Sequence, residues 1–277
     1  MSISVLIMTL NEEMNLPACL ASLTWCDDIV VLDSFSTDRT VEIAKAAGAR
    51  VYQRRYDSEY QQRMFAMKEI EYKYPWVYGP DADEICTDEL REEMFAIAND
   101  PDRPEAFFRA RYKNMFMGRW IKHSSLYPTW NPRLLRPDRV HFEREVHMRC
   151  IGDGPAGRLN AHYLHYSFNN GLKAWYEKHN RYSSAEARES LKSQRNGKIP
   201  WHQIFSRHEE NRRQGLKELS CRLPFRPFAR FVYMYVFRRG FLDGVQGYHY
   251  CRLIAAYEYM IVIKMMELKR RERGLPV

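Results

Sequence analysis

Short apolar segments alternate with helix-like segments through the first hundred residues, and this alternation limits the fold more than any other feature. Apolar runs at 3–10, 28–33, 50–55 and 76–78 predict strands, and the segments 14–23, 37–47 and 59–72 predict helices. Strands separated by helices of this length form βαβ units with parallel strands and right-handed crossovers. The sequence therefore predicts an α/β fold with a mixed, mostly parallel sheet flanked by helices.

Short oxygen-bearing side chains lie at or just after the ends of three of these predicted strands. They are Thr9, Asn11 and Glu12 at the end of the first strand, Asp33 at the end of the second, and Asp81 and Asp83 after the fourth. Ligands of open α/β sheets bind at this carboxyl edge. Two carboxylates at a strand end can converge on one divalent cation, and oxygen ligands suit Mg²⁺ or Mn²⁺. The pattern predicts that Asp83 and Asp81 form a metal site and that the bound ion bridges to substrate phosphates.

Several protein classes are disfavoured. Neither a G-x-G-x-x-G turn nor a G-x-x-x-x-G-K-[ST] turn is expected, which disfavours a dinucleotide-binding fold and a P-loop NTPase, and the turn after the first predicted strand, TLNEEMNLP, contains no glycine. The six cysteines are scattered without a C-x-x-C pair, which argues against a zinc ribbon or a disulfide framework. No basic segment precedes the first apolar run, so it reads as a buried strand and not as a signal peptide. A reduced, cytoplasmic compartment is expected.

Charge is divided unevenly along the chain. Residues 1–100 contain 9 basic and 19 acidic residues, whereas residues 101–277 contain 34 basic and 16 acidic residues, giving +8 overall. An asymmetry of this size indicates nucleic acid, a membrane surface or anionic ligands as partners of the basic half, unless the surface is simply solvated.

Two groups of segments resemble a known family. The runs SVLIMTLNEEMNLPACLASL, DDIVVLDSFSTDRTVEIA and DADE are similar to the nucleotide-binding half of inverting family 2 glycosyltransferases, which have the GT-A fold. This likeness covers residues 3 to about 95. The runs GRWIKH, RLLR, EREVH and DGPAGRLNAHYLHYS resemble the bacterial lipopolysaccharide-core β-glucosyltransferase branch and extend the likeness to about residue 185.

The resemblance implies roles for individual residues. Thr9, Asn11 and Glu12 would hold the nucleoside, Asp33 would lie at its base or ribose, and Arg63 would face the uracil. Asp81 would lie near the ribose and the metal, and Asp83 would be the direct metal ligand. Pro80 and Met148 depart from the family pattern, which commonly has an aliphatic residue and often a glutamate at these places.

An inverting transfer needs a base that takes the proton of the acceptor hydroxyl while the nucleotide diphosphate leaves. Glu145 and Glu143 are the candidates, because both follow the metal motif in the segment expected to build the acceptor side. We favour Glu145; the alternative for either residue is a surface ion pair with a neighbouring arginine. Arg133 and Arg136 are predicted to stabilise the departing diphosphate, where negative charge develops.

The C-terminal part is basic and aromatic. In RLPFRPFARFVYMYVFRR, at 222–239, Arg222, Arg226 and Arg230 are spaced to share one helical face, with aromatic residues on another. No uncharged apolar run approaches the ~20 residues needed to cross a bilayer. Basic aromatic helices lie in the interface of anionic membranes, so membrane association is predicted. Packing against the catalytic domain and a dimer interface are the alternatives.

These observations combine into one functional hypothesis. Residues 1–195 would form the catalytic domain, with a nucleotide-binding half at 1–100 and an acceptor half at 101–195, and 196–277 would form a helical extension. The protein would move a sugar from a nucleotide-sugar, UDP-linked by resemblance, to a lipid-linked saccharide such as lipopolysaccharide core. It would use Mg²⁺ or Mn²⁺ and lie on the inner face of the bacterial inner membrane, as a monomer or a homo-oligomer.

Two other functions are weighed against this hypothesis. A sugar-phosphate nucleotidyltransferase would need a glycine-rich loop after the first strand, which the chain lacks there. A basic nucleic-acid-binding protein would use the C-terminal arginines and aromatics but leaves the acidic strand ends unexplained. A nucleic-acid partner is therefore not expected.

Overall fold

The computed structural model describes residues 3–143, 148–195, 201–206 and 225–277, with 211, 212, 215 and 219 as isolated residues. The chain divides into two compact units. The first comprises Met1–Met115 and Leu126–Asn169, and the second comprises Phe116–Ser125 and Asn170–Val277. Helix 171–195 is thus grouped with the C-terminal residues, whereas the sequence-based division ended the catalytic domain at 195. That division concerns function and stays a prediction.

The first unit contains most of the strands. They are β1 Ile3–Thr9, β2 Ile29–Asp33, β3 Arg50–Gln53, β4 Trp76–Tyr78, β5 Glu84–Ile85, β6 Phe107–Phe116, β8 Trp130–Leu135, β9 Val140–Glu143, β10 Arg149–Gly152 and β11 Ala156–His165; β7, Arg119–Trp120, belongs to the second unit. Its helices are α1 Leu16–Ala21, α2 Thr40–Ala46, α3 Glu59–Glu69 and α4 Asp88–Ala98. The strands and helices predicted in the first hundred residues are present, with slightly different ends.

One mixed sheet organises this unit, in the order β3-β2-β1-β4-β8-β6-β11-β5. The pairs β1–β2, β2–β3, β1–β4 and β6–β11 are parallel, whereas β8 is antiparallel to both β4 and β6, and β5 is antiparallel to β11. Strands β9 and β10 form a separate antiparallel pair. The predicted α/β fold with a mostly parallel sheet is confirmed.

Both faces of the sheet are covered. In β1, Val5 and Ile7 belong to one apolar cluster with Leu90 of α4, whereas Leu6 belongs to a second cluster with Ala66 of α3. A strand buried on both faces has a continuous apolar sequence, which explains the run at 3–9. Thr87 and Ser58 accept hydrogen bonds from backbone N–H groups in the first turns of α4 and α3 and so fix where these helices begin.

The spacing G-x-G-x-x-G does occur once in the chain, at Gly152, Gly154 and Gly157. This segment joins β10 to β11 and is followed by a strand, so it lacks the helix that a dinucleotide-binding turn requires. A Cβ at Gly157 would lie 2.2 Å from the Phe108 ring. Close packing of two neighbouring strands therefore accounts for the glycine at this position.

The second unit is mainly helical. Its elements after β7 are α5 Gly171–Arg195, α6 Trp201–Ile204, α7 Arg226–Val232, a π-helical turn Tyr233–Phe237, a 3-10 turn Gly240–Asp243 and α8 Gly244–Glu272. Helices α5 and α8 pack through Ala187, Leu191, Ile261 and Met265. Among the helices that the structure describes, none is long and apolar enough to cross a membrane.

The arginine stripe predicted for the C-terminal segment is not formed as expected. Arg226 is buried, and its guanidinium lies 2.6 Å from Oε2 of Glu258 on α8. Arg222 lies outside the described residues. A buried arginine needs a counter-charge, and Glu258, a charge that interrupts the apolar sequence of α8, provides it. Arg226 therefore joins two helices and does not face a membrane.

Candidate active site

Asp33 is a hydrogen-bond centre at the carboxyl ends of three strands. Its fully buried carboxylate accepts hydrogen bonds from Thr9 Oγ1 at 3.0 Å, Ser36 N at 2.9 Å, Ser36 Oγ at 2.5 Å and Gln53 Nε2 at 3.2 Å. Four bonds fill the ordinary acceptor capacity of a carboxylate. In this conformation Asp33 and Thr9 therefore link β1, β2 and β3. The Asp33 carboxylate keeps no ordinary acceptor position for a nucleoside.

Asn11 and Glu12 connect the end of β1 to the loop before α2. Asn11 has a φ of 57°, in the left-handed region that asparagine tolerates, and its Oδ1 accepts a hydrogen bond from Thr37 N at 2.8 Å. The Glu12 N–H donates to Thr40 Oγ1 at 2.8 Å, and Glu12 Oε2 accepts from Asn15 Nδ2 at 2.7 Å. Asn11 is exposed and Glu12 half-buried, so both remain accessible at the carboxyl edge.

Arg133 joins the two carboxylates that lie on either side of Asp83 in sequence. Its Nη2 donates to Asp81 Oδ2 at 2.7 Å and to Glu84 Oε1 at 2.6 Å. The Arg133 side chain is only 4% exposed, and its Cζ lies 5.3 Å from the centre of the Tyr163 ring. In this conformation the guanidinium positions Asp81, and its predicted contact with a diphosphate stays a prediction.

The carboxylates around Arg133 titrate differently because their surroundings differ. Burial raises the pKa of Asp81, but Arg133, Arg63 and His165 outweigh it and hold that pKa below the ordinary value. Burial raises the pKa of Glu84 to about 7, against the opposing effect of Arg133. Asp81, whose side chain is 44% exposed, is therefore the carboxylate kept ionised toward the solvent.

Asp83 faces a histidine that the sequence analysis did not select. Oδ2 of Asp83 lies 3.3 Å from Nε2 of His165, at the end of β11, where His165 pairs with Glu84 of β5. Burial lowers the pKa of His165, but the hydrogen bond and charge of Asp83 outweigh it and raise the pKa. The Asp83 side chain is 25% exposed and the His165 side chain is 23% exposed. The sequence feature that could have identified His165 is the pair of histidines in HYLHYS, at 162–167.

The donor set at this edge fits a divalent cation held jointly with a diphosphate. Adjacent ligands of an octahedral ion, each about 2.1 Å from it, are about 3 Å apart, close to the 3.3 Å between Asp83 and His165. Within the described ranges, no group of three or more histidine, cysteine, aspartate or glutamate side chains could hold a metal. Mg²⁺ and Mn²⁺ commonly complete their shells with water and substrate phosphates.

A cleft opens beside Asp83 within the first unit. Its volume is about 210 Å³, and Asn15, Ala18, Ala82, Asp83, Ile85, Tyr166 and Asn169 line it. Amide and phenol groups of this kind suit hydrogen bonding to sugar hydroxyls. The cleft therefore adds Asn15, Tyr166 and Asn169 to the residues that sequence reasoning selected.

The structure brings Arg63 to this edge and leaves Arg136 elsewhere. Nη2 of Arg63 lies 3.9 Å from Asp81 Oδ1 and bonds to Glu59 in the preceding turn of α3. Arg136 stacks on Trp76, the first residue of β4, with 4.5 Å between Cζ and the ring centre. Because β8 runs antiparallel to β4, Arg133 and Arg136 point to opposite ends of β4. Arg136 is thus not brought together with the predicted diphosphate site.

Only one of the two candidate bases can be placed. Glu143 ends β9, is 55% exposed and lies 3.5 Å from His141 Nε2. Glu145 lies outside the described residues. Phe142, between His141 and Glu143, faces α3 and lies 5.8 Å from the Cζ of Arg63. The end of β9 is therefore held next to the helix that carries Arg63, and the choice of base stays a prediction.

Comparison with known proteins identifies the class. The model of the family Glycosyl transferase family 2 matches residues 4–163, which is more than half of the chain. The match includes Thr9, Asp33, Asp81, Asp83 and Arg133. The chain therefore belongs to glycosyl transferase family 2 and is a glycosyltransferase, in a family whose typical mechanism is inverting. This membership disfavours the nucleotidyltransferase and nucleic-acid alternatives.

Individual relatives are more distant. An uncharacterized glycosyltransferase of Rickettsia typhi is 27% identical over 288 residues, covering 99% of this chain and 89% of the relative. The lipopolysaccharide core biosynthesis glycosyltransferase LpsC of Rhizobium meliloti is 27% identical over 205 residues, covering 72% of this chain and 74% of the relative. Among solved structures, S. aureus TarS in complex with UDP-GlcNAc has a TM-score of 0.44 and 13% identity, covering 99% and 93% of the two chains.

Proposed function

We propose that this glycosyltransferase moves a sugar, with inversion, from a UDP-linked donor to a lipid-linked saccharide such as lipopolysaccharide core, with Mg²⁺ or Mn²⁺. The observation that carries the proposal is the Asp83–His165 pair beside the sugar-sized cleft, at the carboxyl edge of a family 2 fold. The relative named for lipopolysaccharide core biosynthesis supports the acceptor class.

Asp83 and His165 would hold the metal, and Asp81 would contribute through its exposed oxygen. The ion would supply positive charge to the departing diphosphate. Arg133 would act as a positioning residue, because its two short bonds fix Asp81 and Glu84. Arg63, 3.9 Å from Asp81, would face the nucleotide.

The nucleoside would lie against the ends of β1 and β2. Asn11 and Glu12 would contact it directly, because both keep accessible side-chain atoms. Thr9 and Asp33 would shape the pocket from beneath, unless a donor displaces one of the hydrogen bonds of Asp33. Glu145, or alternatively Glu143, would take the proton of the acceptor hydroxyl.

A lipid-linked acceptor would require the enzyme to work at a membrane. Exposed apolar side chains are frequent between residues 225 and 245 of the second unit, and we call them together the interfacial surface: Phe225, Phe228, Tyr233, Val236, Phe237, Phe241, Leu242 and Val245. Phe225 is 82% and Phe237 75% exposed. Arg239, within this stretch, and Arg252 are exposed cations. Exposed aromatic residues with arginines suit the boundary of an anionic bilayer, so we propose peripheral binding at the cytoplasmic face through this surface.

A ligand panel on the purified full chain tests the donor and the metal together. Thermal unfolding is measured with UDP, GDP, CDP, ADP and their glucose conjugates, each with and without Mn²⁺. The proposal expects stabilisation by uridine nucleotides that requires the metal, because only a bound ligand stabilises the folded state. Stabilisation by a nucleotide with a different base would change the assigned donor. Equal stabilisation in the presence of EDTA would contradict the proposed metal requirement.

A further inference from the structure

Three arginines and one tryptophan lie on a single face of the sheet in the first unit. Arg109 and Arg111 are on β6, Arg158 is on β11 and Trp130 is on β8. Arg111 is paired with Trp130, and Arg109 is paired with Arg158. Directly paired residues of neighbouring strands point to the same face. The register therefore gathers these four side chains, which we call the arginine cluster.

Two guanidinium groups share the tryptophan ring. The Cζ atoms of Arg111 and Arg158 lie 5.4 Å and 5.1 Å from the centre of the Trp130 ring, and Arg109 lies 5.6 Å from that of Phe107. An arginine packed on an aromatic ring can still donate hydrogen bonds from its planar N–H groups. The rings therefore orient three cations that remain able to donate hydrogen bonds.

No carboxylate in the described part of the chain neutralises these cations. None of the three arginines makes an ion pair there, whereas Arg54, Arg63, Arg133 and Arg226 all do. Arg111 donates one hydrogen bond, from Nη2 to the Asn160 carbonyl, and its buried Nε has no partner in the described structure. Like charges paired across strands are unfavourable, so an anionic ligand would stabilise this arrangement.

The cluster is oriented toward the candidate active site. Strand β6 runs in the same direction as β4, because both are antiparallel to β8, so Arg111 lies toward the edge that carries Asp81. Burial raises the pKa of Cys150 to about 12, and the positive charges of Arg109 and Arg63 oppose this rise. Arg63 in turn lies 3.9 Å from Asp81 Oδ1. The positive charge of Arg63 thus acts on Cys150, as that of Arg109 does, and also on Asp81.

We propose that Arg109, Arg111 and Arg158 bind an anionic group, a phosphate or a carboxylate, on the saccharide acceptor. The assignment of this anionic group to the acceptor rests on the proposed function, whereas anion binding by the three arginines does not. Guanidinium groups bind both oxyanions through paired N–H donors, and the Trp130 ring offers an apolar surface for a sugar. The acceptor is accordingly a phosphorylated or acidic saccharide.

A binding experiment tests the site without any glycosyl transfer. The indole N–H resonance of Trp130, assigned with Trp130→Phe, is followed during titration with glucose 6-phosphate, glucuronate and glucose. We expect a saturable shift with one or both anionic sugars and binding at least tenfold tighter than that of glucose. A response to glucose 6-phosphate alone identifies a phosphate, and a response to glucuronate alone identifies a carboxylate.

Charge variants decide whether the cluster causes the binding. Arg111→Gln/Arg158→Gln should weaken it at least tenfold, and Arg111→Lys/Arg158→Lys should retain part of it while keeping the charge. Arg188→Gln, on an exposed arginine of α5, is the matched control and should bind as the wild type does. Equal binding by the glutamine pair, or equal responses to glucose and its 6-phosphate, overturns the proposal.

Once an acceptor is in hand, kinetics give a second readout. The Arg111→Gln/Arg158→Gln enzyme should show a rise of about tenfold or more in the acceptor KM, with kcat and donor KM near those of the wild type. A loss confined to kcat would contradict acceptor binding. Absence of transfer by the wild type would contradict the proposed function but leave the anion titration valid.

Discussion

Oδ2 of Asp83 and Nε2 of His165 lie 3.3 Å apart although one residue follows β4 and the other ends β11. The antiparallel pairing of β5 with β11 creates this proximity, since Glu84, next to Asp83, is paired with His165. We propose that this aspartate and histidine hold a metal ion whose remaining positions a diphosphate and water would fill.

Asp83→Asn and His165→Ala should each impair metal-dependent catalysis. Asp83→Asn should lower kcat by ~10²-fold or more, because the amide no longer carries the charge that holds the ion. His165→Ala should chiefly raise the Mn²⁺ concentration required for half-maximal activity. Sugar transfer measured across a Mn²⁺ series, with thermal unfolding to confirm the fold, checks both. Asp138→Asn, an exposed carboxylate, is the control. Wild-type turnover of Asp83→Asn in EDTA would refute the assignment.

Arg133→Met should destabilise the first unit. The substitution leaves Asp81 and the fully buried Glu84 without their shared cation, and breaking a buried ion pair costs ~3–5 kcal/mol. The free energy of unfolding is measured in urea at pH 7. Adding Glu84→Gln should recover part of the loss, since it removes the carboxylate left unpaired. Arg181→Met, on an exposed arginine, should change little. Equal stability of Arg133→Met and wild type would show that the network is dispensable.

Glu145→Gln should lower kcat by ~10²-fold or more with donor affinity little changed, because a glutamine cannot take the proton of the acceptor. Glu143→Gln provides the matched comparison, since the Glu143 side chain is solvent-exposed beside His141. Single-turnover transfer and nucleotide binding are measured for both. A silent Glu145→Gln together with an inactive Glu143→Gln would transfer the role of base to Glu143.

Phe228→Gln/Phe237→Gln/Val245→Gln should weaken binding to anionic vesicles. Each apolar side chain removed from the interface is worth ~1.5 kcal/mol, so roughly tenfold is expected per substitution. Co-sedimentation with phosphatidylglycerol vesicles across a salt series measures it. Tyr259→Gln, on an exposed aromatic of α8 outside the interfacial surface, is the control. Unchanged pelleting, with a shift in molecular mass on sizing, would favour the dimer interface instead.

Asp28→Asn should make stability less dependent on pH. Burial raises the pKa of Asp28, but hydrogen bonds from Ser4 Oγ, the Lys73 N–H and Arg50 outweigh it and lower the pKa. Its carboxylate therefore stabilises the fold above the unfolded pKa of about 3.9, and the contribution disappears as the pH falls through the lower folded value.

Urea unfolding at pH 7 should show a loss of ~1–3 kcal/mol for Asp28→Asn, and the difference from wild type should shrink below about pH 4. Asp27→Asn, on the exposed neighbour, should have a smaller effect. A difference that stays constant down to pH 3 would mean that the charge of Asp28 is not what stabilises the protein.

The sequence by itself determined the α/β class, the order of the first elements and the acidic strand ends. These features are local. A strand buried on both faces is apolar along most of its length, as Ile3–Thr9 is apart from the buried Ser4, and amide and charged side chains begin where the strand leaves the core. The edge that carries Asp33, Asp81 and Asp83 could be predicted for that reason.

Only the tertiary structure decided the partners of these residues. The bonds of Arg133 to Asp81 and Glu84 could not be predicted from the sequence, because they arise where strand β8 inserts between β4 and β6. Arg226 was expected on a surface, yet Glu258 draws it into a buried pair. Charged side chains take partners according to which elements become neighbours, and strand order and helix packing are fixed by burial over the whole unit. The spacing of residues along the chain therefore does not predict these partners.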